Sequence, residues 1–372
     1  MQKPPGHDRT AKPQNLIPLK KPEMQGAKFS RNEAYLAYAA VTGKLEQRRR
    51  SGFLSGISHR FRIVFMGTPV FAVPSLKALV EGPDAVLAVV TQPDRPRGRG
   101  RRVVPSPVKE FALARGIPVL QPERARDPGF ITEVAALEPD LLVVAAYGQI
   151  LPPALLNVPR IMPINVHGSL LPAYRGAAPI QWAIMNCEKE TGITIMRMDE
   201  GMDTGPMLLS GAIGIGPDET FGELYLRMSD LGARLLREAL DLLGDDRLTE
   251  IPQPEEGITY ALPIRPETAC IDWTLPSERI ACLIRAMDPE PGAHTLLEGK
   301  RIRLFRPFTI EEGKVISSVP GEIVRADDAG LFIATGEGIV GVREILYPGK
   351  KRLRAGDFLR GRPILPGVRL GE

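Results

Sequence analysis

The sequence predicts an α/β fold: a mostly parallel sheet covered on both faces, followed by a small β-barrel domain. Three observations carry this. Short apolar runs alternate with helix-like segments from residue 62 onward, prolines break the pattern at 253–266, and beyond that break only short strand-like pieces remain, split by Gly and charged turns.

The run 62–67, Arg-Ile-Val-Phe-Met-Gly, is continuously apolar rather than alternating, as in a strand buried on both faces, and Gly67 ends it in a turn. Similar runs follow at 86–91, 117–120, 141–146 and 164–167. Helical stretches lie between them at 73–81, 107–115, 130–137 and 153–156, and Ser106 before Pro107 supplies an N-cap and first-turn pair. An amphipathic helix over 220–243 closes the unit. Ligands of such sheets bind at the carboxyl ends of the strands. Pro252, Pro254 and Pro263 then mark a linker. Strand-like segments at 301–305, 321–325, 331–335 and 339–342, with a helix at 277–287, give the barrel. The expected division is a basic, disordered extension over 1–60, a first domain over 61–252, a linker over 253–266 and a C-terminal domain over 267–372.

Composition bounds the function. A chain of 372 residues with 43% hydrophobic and 25% charged residues can bury two cores. No apolar run approaches the ~20 residues that span a bilayer, so no membrane is expected. Cys187, Cys270 and Cys282 are odd in number, far apart and form no CxxC pair. This argues against a disulfide framework or a structural zinc, and for buried free thiols in a reducing cytoplasm. Residues 1–60 hold 12 Lys and Arg against 4 Asp and Glu, the remainder 36 against 40. The body is therefore mildly acidic, and only local patches can argue for nucleic acid. The extension lacks an apolar core segment, which excludes a secretory signal; an organelle presequence is the minor alternative.

The densest chemical signal is the block 163–179, Pro-Ile-Asn-Val-His-Gly-Ser-Leu-Leu-Pro-Ala-Tyr-Arg-Gly-Ala-Ala-Pro. Asn165 and His167 are two apart on one strand, so both side chains share a face at its end, and Gly168 breaks the strand behind them. An amide donor beside an imidazole suits acyl-type transfer, in which a carbonyl oxygen gains negative charge. A satisfied strand-end histidine is the alternative; the adjacent Asn, Gly and rigid Leu-Leu-Pro weigh against it. In 192–207 an apolar strand runs into a loop where Asp203 lies among Gly201, Gly205 and Pro206. Its carboxylate can orient an imidazole or accept a proton, or it can serve turn chemistry alone. Over 95–102 five arginines alternate with glycine and proline. A solvated loop is the plain explanation, but in an acidic body the run favours an arm that tracks phosphates. Lys350 and Lys351, with Arg352 and Arg354, make a weaker patch in the barrel. Motifs GxGxxG, GxSxG and GxxxxGK[ST] are absent.

These blocks resemble the formyltransferase family, from residue 62 to near the C-terminus, and most closely its branch that acts on methionyl-tRNA. The resemblance implies a Rossmann-like formyltransferase domain and a C-terminal OB-like barrel that helps to hold tRNA. It matches Asn165, His167 and Asp203 to the family's catalytic trio, and Ser169, Leu170, Leu171 and Pro172 to its tetrahydrofolate-contacting turn. The arginine loop matches an insertion that enters the tRNA acceptor end, with Arg99 as key contact and Arg97, Arg101 and Arg102 in support. Implied with it are 10-formyltetrahydrofolate as donor, initiator methionyl-tRNA as acceptor, no metal, a monomer, and a role in translation initiation. A formyltransferase acting on a sugar-nucleotide amine is the alternative, and the arginine loop discriminates against it. Replacing Arg97, Arg99, Arg101 and Arg102 by Ala is expected to raise KM for tRNA and to flatten its dependence on salt, because fewer counterions are released on binding; an unchanged salt slope refutes the arm.

Overall fold

The structure, a computed structural model, describes residues 59–97, 102–310 and 318–371. Residues 1–58 of the expected extension lie outside the described residues, as do Arg99 and Arg101. The first domain contains β1 (Arg62–Gly67), β2 (Ala85–Val90), the hairpin strands β3 (Arg95–Arg97) and β4 (Arg102–Val104), β5 (Val119–Leu120), β6 (Leu141–Ala145) and β7 (Met162–His167), then β8 (Arg175–Gly176), β9 (Glu190–Arg197) and β10 (Met207–Gly214). Its helices are α1 (Ala72–Val80), α2 (Pro107–Leu113), α3 (Pro128–Ala136), α4 (Pro153–Leu156), α5 (Pro179–Met185) and α6 (Phe221–Gly244).

The main sheet runs β10-β9-β7-β6-β1-β2-β5. Its strands from β5 to β7 pair in parallel, and β9 and β10 add an antiparallel edge. Ile63, Val64, Phe65 and Met66 are each 0% exposed, which is why β1 reads as an unbroken apolar run: neighbouring layers cover both its faces. Each such side chain contributes about 1.5–3 kcal/mol relative to exposure. Ser106 caps α2 by accepting from the Lys109 backbone N–H, as its position before Pro107 predicts.

Helix α6 fixes the layer behind the site. Thr220 and Glu223 form a reciprocal capping box at its start, and Leu224, Met228, Leu231 and Leu235 lie on its buried side. A glycine inside a helix costs about 1 kcal/mol relative to Ala, yet Gly232 has a reason to be there. A Cβ at that position would come within 2.9 Å of Val166 Cγ1, so its absence lets the helix lie close on β7.

The C-terminal part contains β11 (Tyr260–Ala261), α7 (Ser277–Ala286), β12 (Ala293–Leu297), β13 (Lys300–Thr309), β14 (Ile323–Asp327), β15 (Gly330–Ala334), β16 (Ile339–Leu346), β17 (Arg352–Arg354) and α8 (Ala355–Gly361). Its sheet, β12-β13-β16-β15-β14 with β17 on β16, is antiparallel throughout, as an OB-like barrel requires. Arg306 of β13 donates to Glu223 Oε1 at 3.0 Å, tying the sheet to the first turn of α6. The expectation of three buried free thiols is corrected. Cys187, after α5, and Cys282, in α7, form a disulfide with Cα atoms 5.7 Å apart, and Cys270 is exposed. Packing of α5 on α7 brings together two cysteines 95 positions apart, a proximity that spacing along the chain does not reveal. No described helix is long and apolar enough to cross a membrane. Thr220→Ala removes the cap and is expected to lower stability by about 1 kcal/mol, read as a lower denaturant midpoint at constant m-value; an unmoved midpoint refutes the cap's contribution.

Candidate active site

Strand β7 delivers Asn165 and His167 to one face, and its register beside antiparallel β9 sets what they meet. Asn165 pairs with Met196 and His167 with Thr194, and β9 ends at Arg197 opposite Ile164, so the loop that follows must turn back along β7 to reach them. That turn carries Asp203. The three side chains converge: Asn165 Nδ2 lies 3.4 Å from Asp203 Oδ1, and His167 Nδ1 lies 3.6 Å from Asp203 Oδ2. The Gly176 N–H donates to Asp203 Oδ2 at 2.9 Å, and His167 Nε2 sits 3.1 Å from the Tyr174 carbonyl. A carbonyl only accepts, so Nε2 carries a hydrogen, and Nδ1 is the nitrogen whose proton can come and go beside the carboxylate.

His167 is 4% exposed, while Asp203 is partly open. Asp203 is also one of the few non-glycine residues with positive φ, at 54°. Left-handed backbone of this kind costs on the order of 1–3 kcal/mol and persists only where surrounding structure holds it. Three hydrogen bonds do so here: that from Gly176, and two at 2.8 Å from Gln253 Nε2 to the carbonyls of Asp203 and Gly205. At about 0.5–1.5 kcal/mol each they offset the strain. Gln253 Oε1 in turn accepts from the buried Arg175, at 3.1 Å from Nε and 2.7 Å from the second nitrogen. Tyr174, whose hydroxyl donates to Glu188 at 2.6 Å, has its phenol pushed up to about 12 by burial and by that contact. It therefore stays neutral near pH 7 and contributes its carbonyl, not a base.

Beside the trio opens a cavity of about 670 Å³ with largely apolar walls, among them Phe71, Val144, Leu151 and Met202. Ile150 at its rim is 93% exposed, a large apolar side chain on a cavity edge that invites a flat apolar ligand. A second cavity of about 580 Å³ adjoins it through the shared segment Ala146, Tyr147, Gly148 and Gln149, and reaches Arg95 and Val104 of the hairpin. The base of that hairpin is fixed by Asp94, which accepts from Lys109 Nζ and from Gln121 Nε2. Burial pushes the Asp94 carboxyl up, but the hydrogen bonds from Lys109 and Gln121 and the Lys109 charge outweigh it and hold the group below its usual value.

The other expected site residues fall in different places. Ser169, Leu170, Leu171 and Pro172 do not line the large cavity. They form a turn behind β7, braced on β9: Leu171 N–H donates to Thr194 Oγ1 at 3.1 Å, Thr194 Oγ1 donates to the Ser169 carbonyl at 2.7 Å, and Ser169 Oγ donates to the Ala173 carbonyl at 2.6 Å. Arg97 and Arg102 pair through their backbones in the β3–β4 hairpin. Lys350 and Lys351 are exposed on the turn between β16 and β17, but Arg352 is bound to Asp288 and Glu344. Among the described residues no group of three or more His, Cys, Asp or Glu side chains is placed to hold a metal ion. Sequence reasoning missed Gln253, Arg175 and the cavity wall at 149–151; of these only the apolar Ile-Leu-Pro after Gln149 left a trace in the sequence.

A doubly covered α/β sheet that presents an amide, an imidazole and a carboxylate at one strand end, followed by an antiparallel barrel-type domain, defines an acyl-group transferase of the formyl-transfer class, and the chain belongs to the formyl transferase family. The family's "Formyl transferase" pattern matches residues 61–240 and its "Formyl transferase, C-terminal domain" pattern matches 263–363. Among individual relatives, the chain is 49% identical over 313 residues to the methionyl-tRNA formyltransferase of Pelotomaculum thermopropionicum, covering 84% of this chain and 99% of that one. It is 47% identical over 311 residues to the enzyme of the same name from Geobacter sulfurreducens, covering 84% and 97%. The fold is also that of HypX from Aquifex aeolicus in complex with tetrahydrofolic acid, at a TM-score of 0.57 and 20% identity over 85% of this chain, which spans 51% of that one.

Gly205→Ala tests how tightly the Asp203 loop is set. Its Cβ would fall 2.0 Å from the Arg197 carbonyl oxygen, so the loop must move. Formyl-transfer activity is expected to drop by at least about tenfold while the protein stays folded by circular dichroism; wild-type turnover would show that the loop tolerates displacement.

Proposed function

We propose that the protein transfers the formyl group of 10-formyltetrahydrofolate to the α-amino group of methionine on initiator methionyl-tRNA, in support of translation initiation. The convergence of Asn165, His167 and Asp203 beside one apolar cavity carries this reading, and the two relatives covered almost end to end favour methionyl-tRNA over a sugar-nucleotide amine. The large cavity takes the folate, and the second cavity, next to the arginine hairpin, admits the aminoacyl end.

The neutral amine attacks the formyl carbon on N10, and the carbonyl electron pair moves to oxygen. The Asn165 amide and a protonated His167 donate to that oxygen where its charge grows. The attacking nitrogen, now positive, gives up a proton, and N10 gains one as its bond to carbon breaks, so that tetrahydrofolate leaves neutral. Asp203 holds the His167 ring and relays these protons, directly or through water. Arg97, Arg99, Arg101 and Arg102 of the 95–102 run, with Lys350 and Lys351, follow the tRNA backbone, and Ser169, Leu170, Leu171 and Pro172, in the turn that leaves the cavity wall at Gly168, contact the folate where it extends past the cavity. A monomer acting in the cytoplasm fits this reading, since every group of the trio comes from one chain.

The deciding assay follows labelled formyl from 10-formyltetrahydrofolate to charged initiator tRNA, with uncharged tRNA and an amino-sugar nucleotide in parallel. Formylation of the sugar instead of the aminoacyl end refutes the reading. Within the same assay Asp203→Asn should lower kcat by roughly 10²–10⁴ while tRNA affinity stays near that of the wild type; normal turnover removes Asp203 from the mechanism.

A further inference from the structure

The segment expected to be a mere linker is laid across the site. Tyr260 and Ala261 pair in parallel with Arg175 and Gly176, and Thr259 accepts from the backbone N–H groups of both Tyr174 and Arg175 through its hydroxyl and its carbonyl. Upstream of this, Gln253 joins two loops that the sheet brings to the site from different directions. Its Nε2 donates to the carbonyls of Asp203 and Gly205, and its Oε1 accepts twice from Arg175. Gly176, the neighbour of Arg175, closes the circuit by donating its N–H to the Asp203 carboxylate at 2.9 Å. The left-handed Asp203 is thus held at both its main chain and its side chain by one connected set of bonds.

Only a side-chain amide satisfies this arrangement, because it must donate two hydrogens on one side and accept on the other. A carboxylate of the same shape would suit Arg175 yet turn an acceptor toward two carbonyl oxygens. We infer that Gln253 is a positioning residue for formyl transfer: it sets the height and orientation of the Asp203 carboxylate against His167 and Asn165. The inference rests on the reading of the trio given above.

The experiment compares Gln253→Glu and Gln253→Ala with the wild-type protein, measuring kcat, KM for donor and for methionyl-tRNA, and thermal unfolding. Gln253→Glu keeps the shape and the Arg175 contact, so it is the variant that decides if the alanine variant unfolds. Its kcat is expected to fall by at least about tenfold, with either KM changed by less than about threefold. In an Asp203→Asn background the same substitution should cost less than about twofold further, since residues that act through one another are not additive. A Gln253→Glu enzyme at wild-type kcat, a loss carried wholly by KM, or a full additional loss on top of Asp203→Asn overturns the assignment. A wild-type protein inactive on methionyl-tRNA overturns the underlying reading, and this inference with it.

Discussion

The site depends on holding one carboxylate where three lengths of chain meet. Asp203 arrives from the turn after β9, Asn165 and His167 from the end of β7, and the Gly176 N–H from the loop after the Leu-Leu-Pro turn. None of these is near the others unless β9 runs antiparallel beside β7 in the observed register, because a slip of one residue would turn Asn165 and His167 to the opposite face. The layers behind the sheet enforce that register. Helix α6 lies close on β7 through Gly232, and Val166, the residue between the two catalytic candidates, is the side chain it lies against. Packing in the core thereby reaches the chemistry through a single intervening residue.

The energetic trade has two sides. Continuous apolar strands such as β1 contribute several kilocalories per mole each by burial, and this surplus tolerates a site built from strained backbone and partly satisfied polar groups. The strain at Asp203 is local and is met locally by a closed set of hydrogen bonds rather than by the core at large. His167 shows the same economy of means. It is nearly sealed from water, its Nε2 faces the Tyr174 carbonyl, and its Nδ1 faces Asp203. Nε2 is held by an acceptor, whereas Nδ1, at 3.6 Å from Asp203 Oδ2, lies beyond hydrogen-bond length and keeps its donor for a formyl oxygen.

What was legible in the sequence follows from which interactions are local. Apolar runs marked β1, β2, β6 and β7 almost to the residue, since burial on both faces leaves a continuous signature, and the Ser-Pro start marked α2 because capping acts within one turn. The trio was legible as residue types at strand ends. Contacts that depend on distant chain coming together were not. Gln253 sits between two prolines in a segment without periodicity, and its role exists only because β11 pairs with β8. The Cys187–Cys282 pair was hidden for the same reason. The rigidity of the Leu-Leu-Pro turn was legible too, but not its brace on Thr194 of β9, which is another contact between distant parts of the chain.

Charge placement explains how an acidic body can serve a polyanionic partner. Counting arginines overstates what is available, because Arg306 and Arg352 are engaged by Glu223, Asp288 and Glu344, and Arg175 is turned inward to Gln253. These cations hold loops and domains together and lend little to the outer field. Lys109 is likewise paired, with Asp94 and Gln121 at the base of the β3–β4 hairpin by the second cavity. Lys350 and Lys351, on the turn between β16 and β17, are exposed by contrast. Keeping cations in such pairs has a chemical reason. Attack requires a neutral amine, and cations crowded around the trio would compete with His167 and Asp203 for control of the proton that the amine must lose.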